Sequence, residues 1–286
     1  MTDIFQSVLS GLLLGGVFAL AAVGLTLVFG VMNVVNFAAG EFVMLGMYVG
    51  FFSWSLFGLD PLLAIPIATI VLAVVGVLVY QGIIGPVLGK NPLSQVIVTF
   101  GLLVFLRGLA QFLWTPNDRS VQNTIAGGLR FELFGIVVGG PQFVAAVGAL
   151  LCTAAVAWFV NRTEVGRGLQ AAGEDPAGAS LMGINPDRMY ALSWLLAGGT
   201  SGVAGALLIN QFTVSPVAGA TFGLIAFVAV ALGGFGSVGG AALAGLLIGV
   251  VYGVVGLYAS AYATAAALAI YLVVVVARPQ GLRGNR

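Results

Sequence analysis

Histidine is absent from this chain, and cysteine and lysine each occur once, as Cys152 and Lys90. Without histidine, the commonest general base and the commonest metal ligand are missing. One thiol in an apolar run cannot close an internal disulfide. Charge of either sign is scarce: 7% of the residues are charged, against about 25% in a soluble domain. So few charges cannot cover a surface exposed to water, which makes lipid the solvent for most of the chain. The net charge of +1 offers no basic field to nucleic acid. A phosphate-binding loop of the form G-x-x-x-x-G-K-[ST] is lacking too. The nearest stretch, Ile84-Gly-Pro-Val-Leu-Gly89-Lys90-Asn91, has Ile for the first Gly and Asn for the hydroxyl that would hold magnesium. No ATP-hydrolysing, metal or catalytic site is expected in this chain, and no bound cofactor.

What is abundant is apolar. Hydrophobic residues make up 60% of the 286, and the mean hydropathy is +1.13. A helix needs roughly 20 apolar residues to cross a hydrocarbon core of ~30 Å. Such runs lie near 6–30, 38–58, 62–82, 93–114, 141–161, 188–210, 222–234, 239–257 and 259–277. The short runs between 222 and 257 read as two spans or as a re-entrant pair, so the expected count is eight or nine. The first run, from about Phe5 to Gly30, is too long for a signal-peptide core and follows Asp3 rather than a basic cluster. It reads as a span that stays. The loops leave no room for a soluble domain. The expected fold is an all-α polytopic membrane protein, a single transmembrane domain over 1–286 with broken or re-entrant segments.

Helix starts announce themselves without hydropathy. Asp60-Pro61, Asn91-Pro92, Gly140-Pro141, Asp175-Pro176 and Asn185-Pro186 each put a small or capping residue before proline. Proline at the first helical position gives up a donor that had no partner, and the preceding side chain can cap the turn. Basic residues then set orientation. Lys90, Arg162, Arg167, Arg188, Arg278, Arg283 and Arg286 fall on one side, Arg119 and Arg130 on the other. The first side is expected to be cytoplasmic, with the C-terminus.

The glycines fall in rows. Ala241, Gly245, Gly249 and Gly253 recur every four residues, as do Gly198, Gly202 and Ala206, and Gly11 and Gly15. Small-residue rows let helix backbones approach closely in lipid. They serve either packing within this chain or packing against a second membrane subunit. Elsewhere the apolar pattern breaks. Gly30 to Glu41 holds Asn33, Asn36 and Glu41, and Asn210 to Thr221 holds Gln211, Ser215 and Pro216. Irregular backbone at membrane depth is tolerated only inside protein or beside water. The pieces NFAAGEF and SPVAGATF echo each other across the breaks, and paired interruptions mark substrate paths in transporters. A third break, Gly233 to Gly240, has no basic residue after it and is not a phosphate loop.

The longest polar interruption in the second half is Arg162 to Arg188, a segment expected to be cytoplasmic. Asp175 can cap, Pro176 open and Gly183 close a helix of about two turns. Gly178, Leu181 and Met182 share one face by spacing. A helix shorter than about 12 residues is marginal alone in water, so this one needs a surface to rest on. Glu174 and Asp175 at its head suit anionic lipid poorly, and a groove on a partner protein fits better.

The segment Glu174-Asp-Pro-Ala-Gly-Ala-Ser-Leu-Met-Gly-Ile-Asn185 resembles the ATPase-coupling segment of bacterial ABC importer permeases, E-A-A followed three residues later by G. Ala177, Gly178 and Ala179 stand at the E-A-A positions and Gly183 at the final glycine, so Ala replaces the Glu and Gly the first Ala. The stretches 24–42, Thr115-Pro-Asn-Asp-Arg-Ser120 and Leu232-Gly-Gly-Phe-Gly-Ser-Val-Gly-Gly-Ala241 resemble the LivH-like permeases of branched-chain amino acid importers. The resemblance spans nearly the whole chain. It implies the ABC importer permease fold in a bacterial or archaeal plasma membrane. It implies a second LivM-like permease, two LivG/LivF-like ATPases carrying ATP and magnesium, and an extracytoplasmic binding protein. The coupling residues it implies are Asp175, Pro176, Ala177, Gly178, Ala179, Leu181, Met182 and Gly183.

Polar groups inside spans are the candidates for a solute path: Asn33, Asn36, Glu41, Arg107 and Gln211. Arg107 lies about ten Å from the outer end of its span by helical rise and can snorkel. A Glu41–Arg107 pair is one alternative, although the orientation puts the two in opposite halves of the membrane. A zwitterionic solute would call for helix N-termini or Arg at its carboxylate and for acceptors at its ammonium. The other function class that fits is a secondary carrier or channel, with Glu41 as an ion site; it leaves the polar arm unexplained.

Overall fold

The computed structural model describes residues 2–122, 124–133, 136–277 and 281–282. In chain order these form α1 (Thr2–Met32), α2 (Ala39–Phe57), α3 (Pro61–Val79), α4 (Pro92–Trp114), β1 (Arg130–Leu133), β2 (Ile136–Gly139), α5 (Gly140–Arg162) and α6 (Glu164–Glu174). Then follow α7 (Pro176–Leu181), α8 (Pro186–Leu208), α9 (Ala218–Gly233), α10 (Val238–Ala259) and α11 (Ala263–Ala277).

Local chemistry sets the helix starts. Asp60 accepts from Leu62 N–H at 3.0 Å, Asn91 from Leu93 N–H at 2.9 Å, and Asp175 from Ala177 N–H at 3.0 Å. Asn185 accepts from Arg188 N–H at 3.2 Å. Each cap stands before a proline. Past its end, α3 continues through a π turn and a short 3-10 turn to Val87.

Seven helical runs among the described residues are long and apolar enough to cross a membrane. The sequence suggests eight or nine, and the difference has two sources. The first is α9, which has 16 residues and is about 24 Å long. The second is α10 and α11, which form one helical run of 40 residues. That run turns on itself at Ala259 (φ −156°, ψ 77°), so that Leu247 and Val251 of α10 line one cavity with Ala267 and Ile270 of α11. The all-α expectation also omits a small antiparallel hairpin, in which Arg130 pairs with Gly139 and Leu133 with Ile136. Strands of four residues are too short to show a period.

Small residues bring the central helices together. Gly245, Gly249 and Gly253 of α10 face Ala19, Gly15 and Gly11 of α1, backbone against backbone. Gly198 and Gly202 of α8 face Leu72 and Ala68 of α3 in the same way. These two rows therefore pack within the chain. Helices α1 and α8 are mostly buried, whereas α4 is only 22% buried and stands at the periphery.

The two ends of the bundle differ in content. At one end, Gln6 of α1 exchanges hydrogen bonds with Val137 of the hairpin, and Arg119 and Val214 pair through their backbones. At the other lie α6, α7 and the start of α8, where Tyr80 donates to Asp187 at 3.3 Å. Arg119 and Arg130 fall at the first end; Lys90, Arg162, Arg167 and Arg188 fall at the second. Arg278, Arg283 and Arg286, assigned to the second end from sequence, lie outside the described residues. Leu282 N–H donates to Leu232 O at the second end, at 2.8 Å.

Candidate functional site: two helix starts inside the bundle

The first break follows α1. Asn33 takes a left-handed conformation (φ 53°), which Asn tolerates better than most residues. The chain then doubles back along α1, and Asn36 and Ala39 share a small cavity with Gly24 and Leu25. Gly24 lies about 12 Å, by helical rise, before the end of α1. So α2 begins well inside the bundle, not at its edge. Backbone groups released by the break find partners, as they must at membrane depth. Asn36 Oδ1 accepts from Ala38 N–H at 3.0 Å, and Asn36 O accepts from Ala39 N–H at 3.3 Å. Val35 O accepts from Thr99 Oγ1 of α4 at 3.0 Å.

The second break, between α8 and α9, ends in the same way: Ser215 O accepts from Ala218 N–H at 3.1 Å. The echoed Ala-Gly pairs are these two helix starts, and they touch. A β-carbon on Gly40 would collide with the backbone of Gly219 and Gly223. The N-cap residues of α2 and α9, Ala38 and Val217, have no side chain that can cap, whereas α3, α4, α6, α7, α8 and α10 each have a capping side chain there.

Glu41 sits in the first turn of α2, 1% exposed, with its carboxylate over Gly219 in the first turn of α9. Helix N-termini carry partial positive charge and favour an anion there. Arg107 Nη2 of α4 donates to Glu41 Oε1 at 2.5 Å, the one ion pair among the described residues. The expectation that these two lie in opposite halves of the membrane is therefore overturned. It counted depth from span ends, and the doubled-back segment moves the start of α2 inward. Arg107 turns to Glu41 instead of snorkelling. Glu41 Oε2 and Arg107 Nε are buried and have no partner.

The other path candidates are apart from this pair. Asn36 is buried in the turn beneath it. Asn33 is exposed beyond the end of α1, and Gln211 lies past the far end of α8, beyond the level where Ile209 meets Gly50. Thr99, Ser215 and the glycines at 40, 219 and 223 belong to the site and were not singled out as site residues from sequence. The echo NFAAGEF/SPVAGATF is the signal for Gly40, Ser215 and Gly219; Thr99 and Gly223 lie outside it. Among the described residues no cluster of His, Cys, Asp or Glu could hold a metal ion.

The polar arm forms two helices. Thr163 caps α6 by accepting from Gly166 N–H at 3.0 Å, and Gly173 packs on Gly30 and Val31 of α1. Helix α7 has six residues, and Gly183 ends it with φ 84°. Ala179 is buried and Gly178 lies against its own cap, Asp175. Leu181 and Met182 stand out at 89% and 83% exposure.

An apolar bundle with two helix starts meeting at its centre defines an integral, polytopic membrane protein. The chain belongs to the family described as the permease component of the branched-chain amino acid transport system, whose model matches residues 7–278. It is 30% identical over 255 residues to a high-affinity branched-chain amino acid transport system permease, BraD of Pseudomonas aeruginosa, covering 85% of this chain and 83% of that one. It is 32% identical over 256 residues to LivH of Escherichia coli K12, a permease of the same description, with the same coverage of 85% and 83%. A more distant match is the fructose import permease FrcC of Rhizobium meliloti, 31% identical over 169 residues, 57% of this chain and 47% of that one. No solved structure matches the chain.

Proposed function

We propose that this chain is a membrane-spanning permease subunit of an ATP-binding cassette importer, in the ABC importer permease fold. Its cargo is branched-chain or other small zwitterionic amino acids. The chain supplies the passage and hydrolyses nothing. Two partner ATPases of LivG/LivF type hold ATP and magnesium. A LivM-like permease completes the passage, and an extracytoplasmic binding protein delivers the solute. The end bearing α6, α7 and the basic residues faces the cytoplasm, in a bundle of eight or nine crossings.

The observation that carries this reading is the arm. A helix of six residues is too short to hold itself together in water, yet it presents Leu181 and Met182 almost fully exposed. Apolar side chains held out in this manner suit a groove on an ATPase. The arm is braced on α1 through Gly173, directly below the doubled-back segment, so motion at α7 reaches the start of α2. Asn36, Glu41 and Arg107 line the passage there, with Asn33 and Gln211 toward its two mouths. The relatives named as branched-chain amino acid permeases favour an amino acid cargo over the sugar named for the distant match.

The test is co-purification of the ATPases with this chain, followed by Leu181→Asp and Met182→Asp. Loss of the ATPases with the bundle still folded supports the reading. Transport by the lone chain without ATP overturns it.

A further inference from the structure

The breaks at 33–38 and 209–217 bring two helix starts, one carboxylate and one guanidinium to a single point inside the bundle. We propose that the Glu41–Arg107 pair holds a zwitterionic α-amino acid by both of its charges during passage. The substrate carboxylate goes to Arg107 and the adjoining helix starts, and the ammonium goes to Glu41. This rests on the importer reading and specifies the chemistry of its cargo.

Three features support the assignment. First, the pair has spare bonding capacity on both sides. Glu41 Oε2 and Arg107 Nε are buried without partners, although buried polar groups are nearly always paired. Second, the local charge leans positive. One carboxylate faces a guanidinium and the partial charges of two helix N-termini, which leaves room for a second carboxylate. Third, Arg107 is reachable. Its side chain is 29% exposed, and a β-carbon on Gly108 beside it would meet nothing within 4 Å.

Charge balance then selects the cargo. Breaking a buried ion pair strands two charges away from water, which is strongly unfavourable. A zwitterion entering between Glu41 and Arg107 replaces one ion pair with two, so no charge is stranded. A sugar, or an amide lacking either charge, opens the pair without replacing it.

The experiment uses the assembled transporter with its binding protein in ATP-loaded proteoliposomes, and radiolabelled L-leucine as the probe. Glu41→Gln combined with Arg107→Gln removes both charges together and leaves neither stranded. Its leucine uptake is expected to fall about tenfold or more, the loss that one missing charged hydrogen bond produces. Arg107→Lys keeps the charge but loses the planar fork, and is expected to raise the half-saturating leucine concentration several-fold. Uptake by the double variant within about twofold of wild type, or an unchanged half-saturation in Arg107→Lys, makes the pair merely structural and overturns the proposal; a twofold change is below the effect of one such bond. Wild-type vesicles that hydrolyse ATP but take up no leucine overturn the amino acid reading itself, and this inference with it.

Discussion

Gly249 of α10 lies against Gly15 of α1 so closely that a β-carbon on Gly249 would overlap the backbone of Gly15 and Gly11. In lipid there is no hydrophobic drive between helices, and close packing holds them instead. Gly249→Ala must therefore push α10 off α1, at about 1–3 kcal/mol for an overpacked contact. A β-carbon on Gly256, two turns further along the same helix, would meet nothing within 4 Å. Gly256→Ala should be neutral or stabilising by up to about 1 kcal/mol, because Ala favours helix. Thermal unfolding of the two variants in detergent checks this. Equal unfolding temperatures would show that the contact contributes nothing.

Thr99 ties the peripheral helix α4 to the first break by donating to Val35 O at 3.0 Å. That carbonyl has left its helix and lies where water is scarce, so Thr99→Val should leave it unpaired. The expected loss is about 0.5–2 kcal/mol, within the range for side-chain hydrogen bonds in membranes. Thr99→Ser keeps the hydroxyl and should behave as wild type. Chemical denaturation of purified protein distinguishes the two, and a stable Thr99→Val variant would contradict the tie.

How much of this was legible beforehand depended on how local the cause was. The starts at Pro61, Pro92, Pro176 and Pro186 were readable because one capping side chain and one proline decide each of them. Bundle composition and the short α7 were readable for similar reasons. The depth of Glu41 was not, because hydropathy assigns residues 38–58 to a span without showing that the chain first doubles back past Gly24. The meeting of Glu41 with Arg107 follows from that depth, so the sequence leaves the pair as one alternative and sets the two residues in opposite halves. The echo around Ala39-Gly40 and Ala218-Gly219 carried the missing information. Its meaning lies in the close approach of Gly40 to Gly219, which no local pattern encodes.

Gly183 closes α7 at φ 84°, a conformation that costs other residues about 1–2 kcal/mol. Its neighbour Ile184 donates from its backbone to Ala179 O at 3.0 Å, which fixes the chain as it leaves the helix. Gly183→Val should unwind this end and release Leu181 and Met182 from their shared orientation. The transmembrane bundle should be unaffected, because a β-carbon on Gly183 would meet nothing within 4 Å. Unchanged unfolding of the bundle with weakened retention of the ATPases is the expected result. Full retention of the ATPases would mean that the shape of α7 is irrelevant to docking.

At the opposite end, Arg119 fastens the loop after α4 to two helices at once. Its guanidinium donates to Trp114 O at 2.5 Å and lies 5.6 Å and 5.4 Å from the ring centres of Phe51 and Phe52 in α2. Trp114 in turn stacks on Tyr48 with ring centres 4.2 Å apart. The backbone of Arg119 also pairs with Val214, at the second break. Arg119→Ala removes the cation–π contact and the hydrogen bond together, and should cost about 1–2 kcal/mol. Arg119→Lys keeps a cation over the rings without the planar donors, so its loss should be smaller. The backbone pairing with Val214 does not depend on the side chain and should survive both changes. Hydrogen exchange can separate these contributions. Faster exchange around the ends of α2 and α4 nearest Arg119 in the Ala variant, with the Arg119 and Val214 amides still protected, is the expected pattern. Exchange that rises at Val214 to the same degree would mean that the side chain, and not the strand-like pairing, holds the second break to the loop.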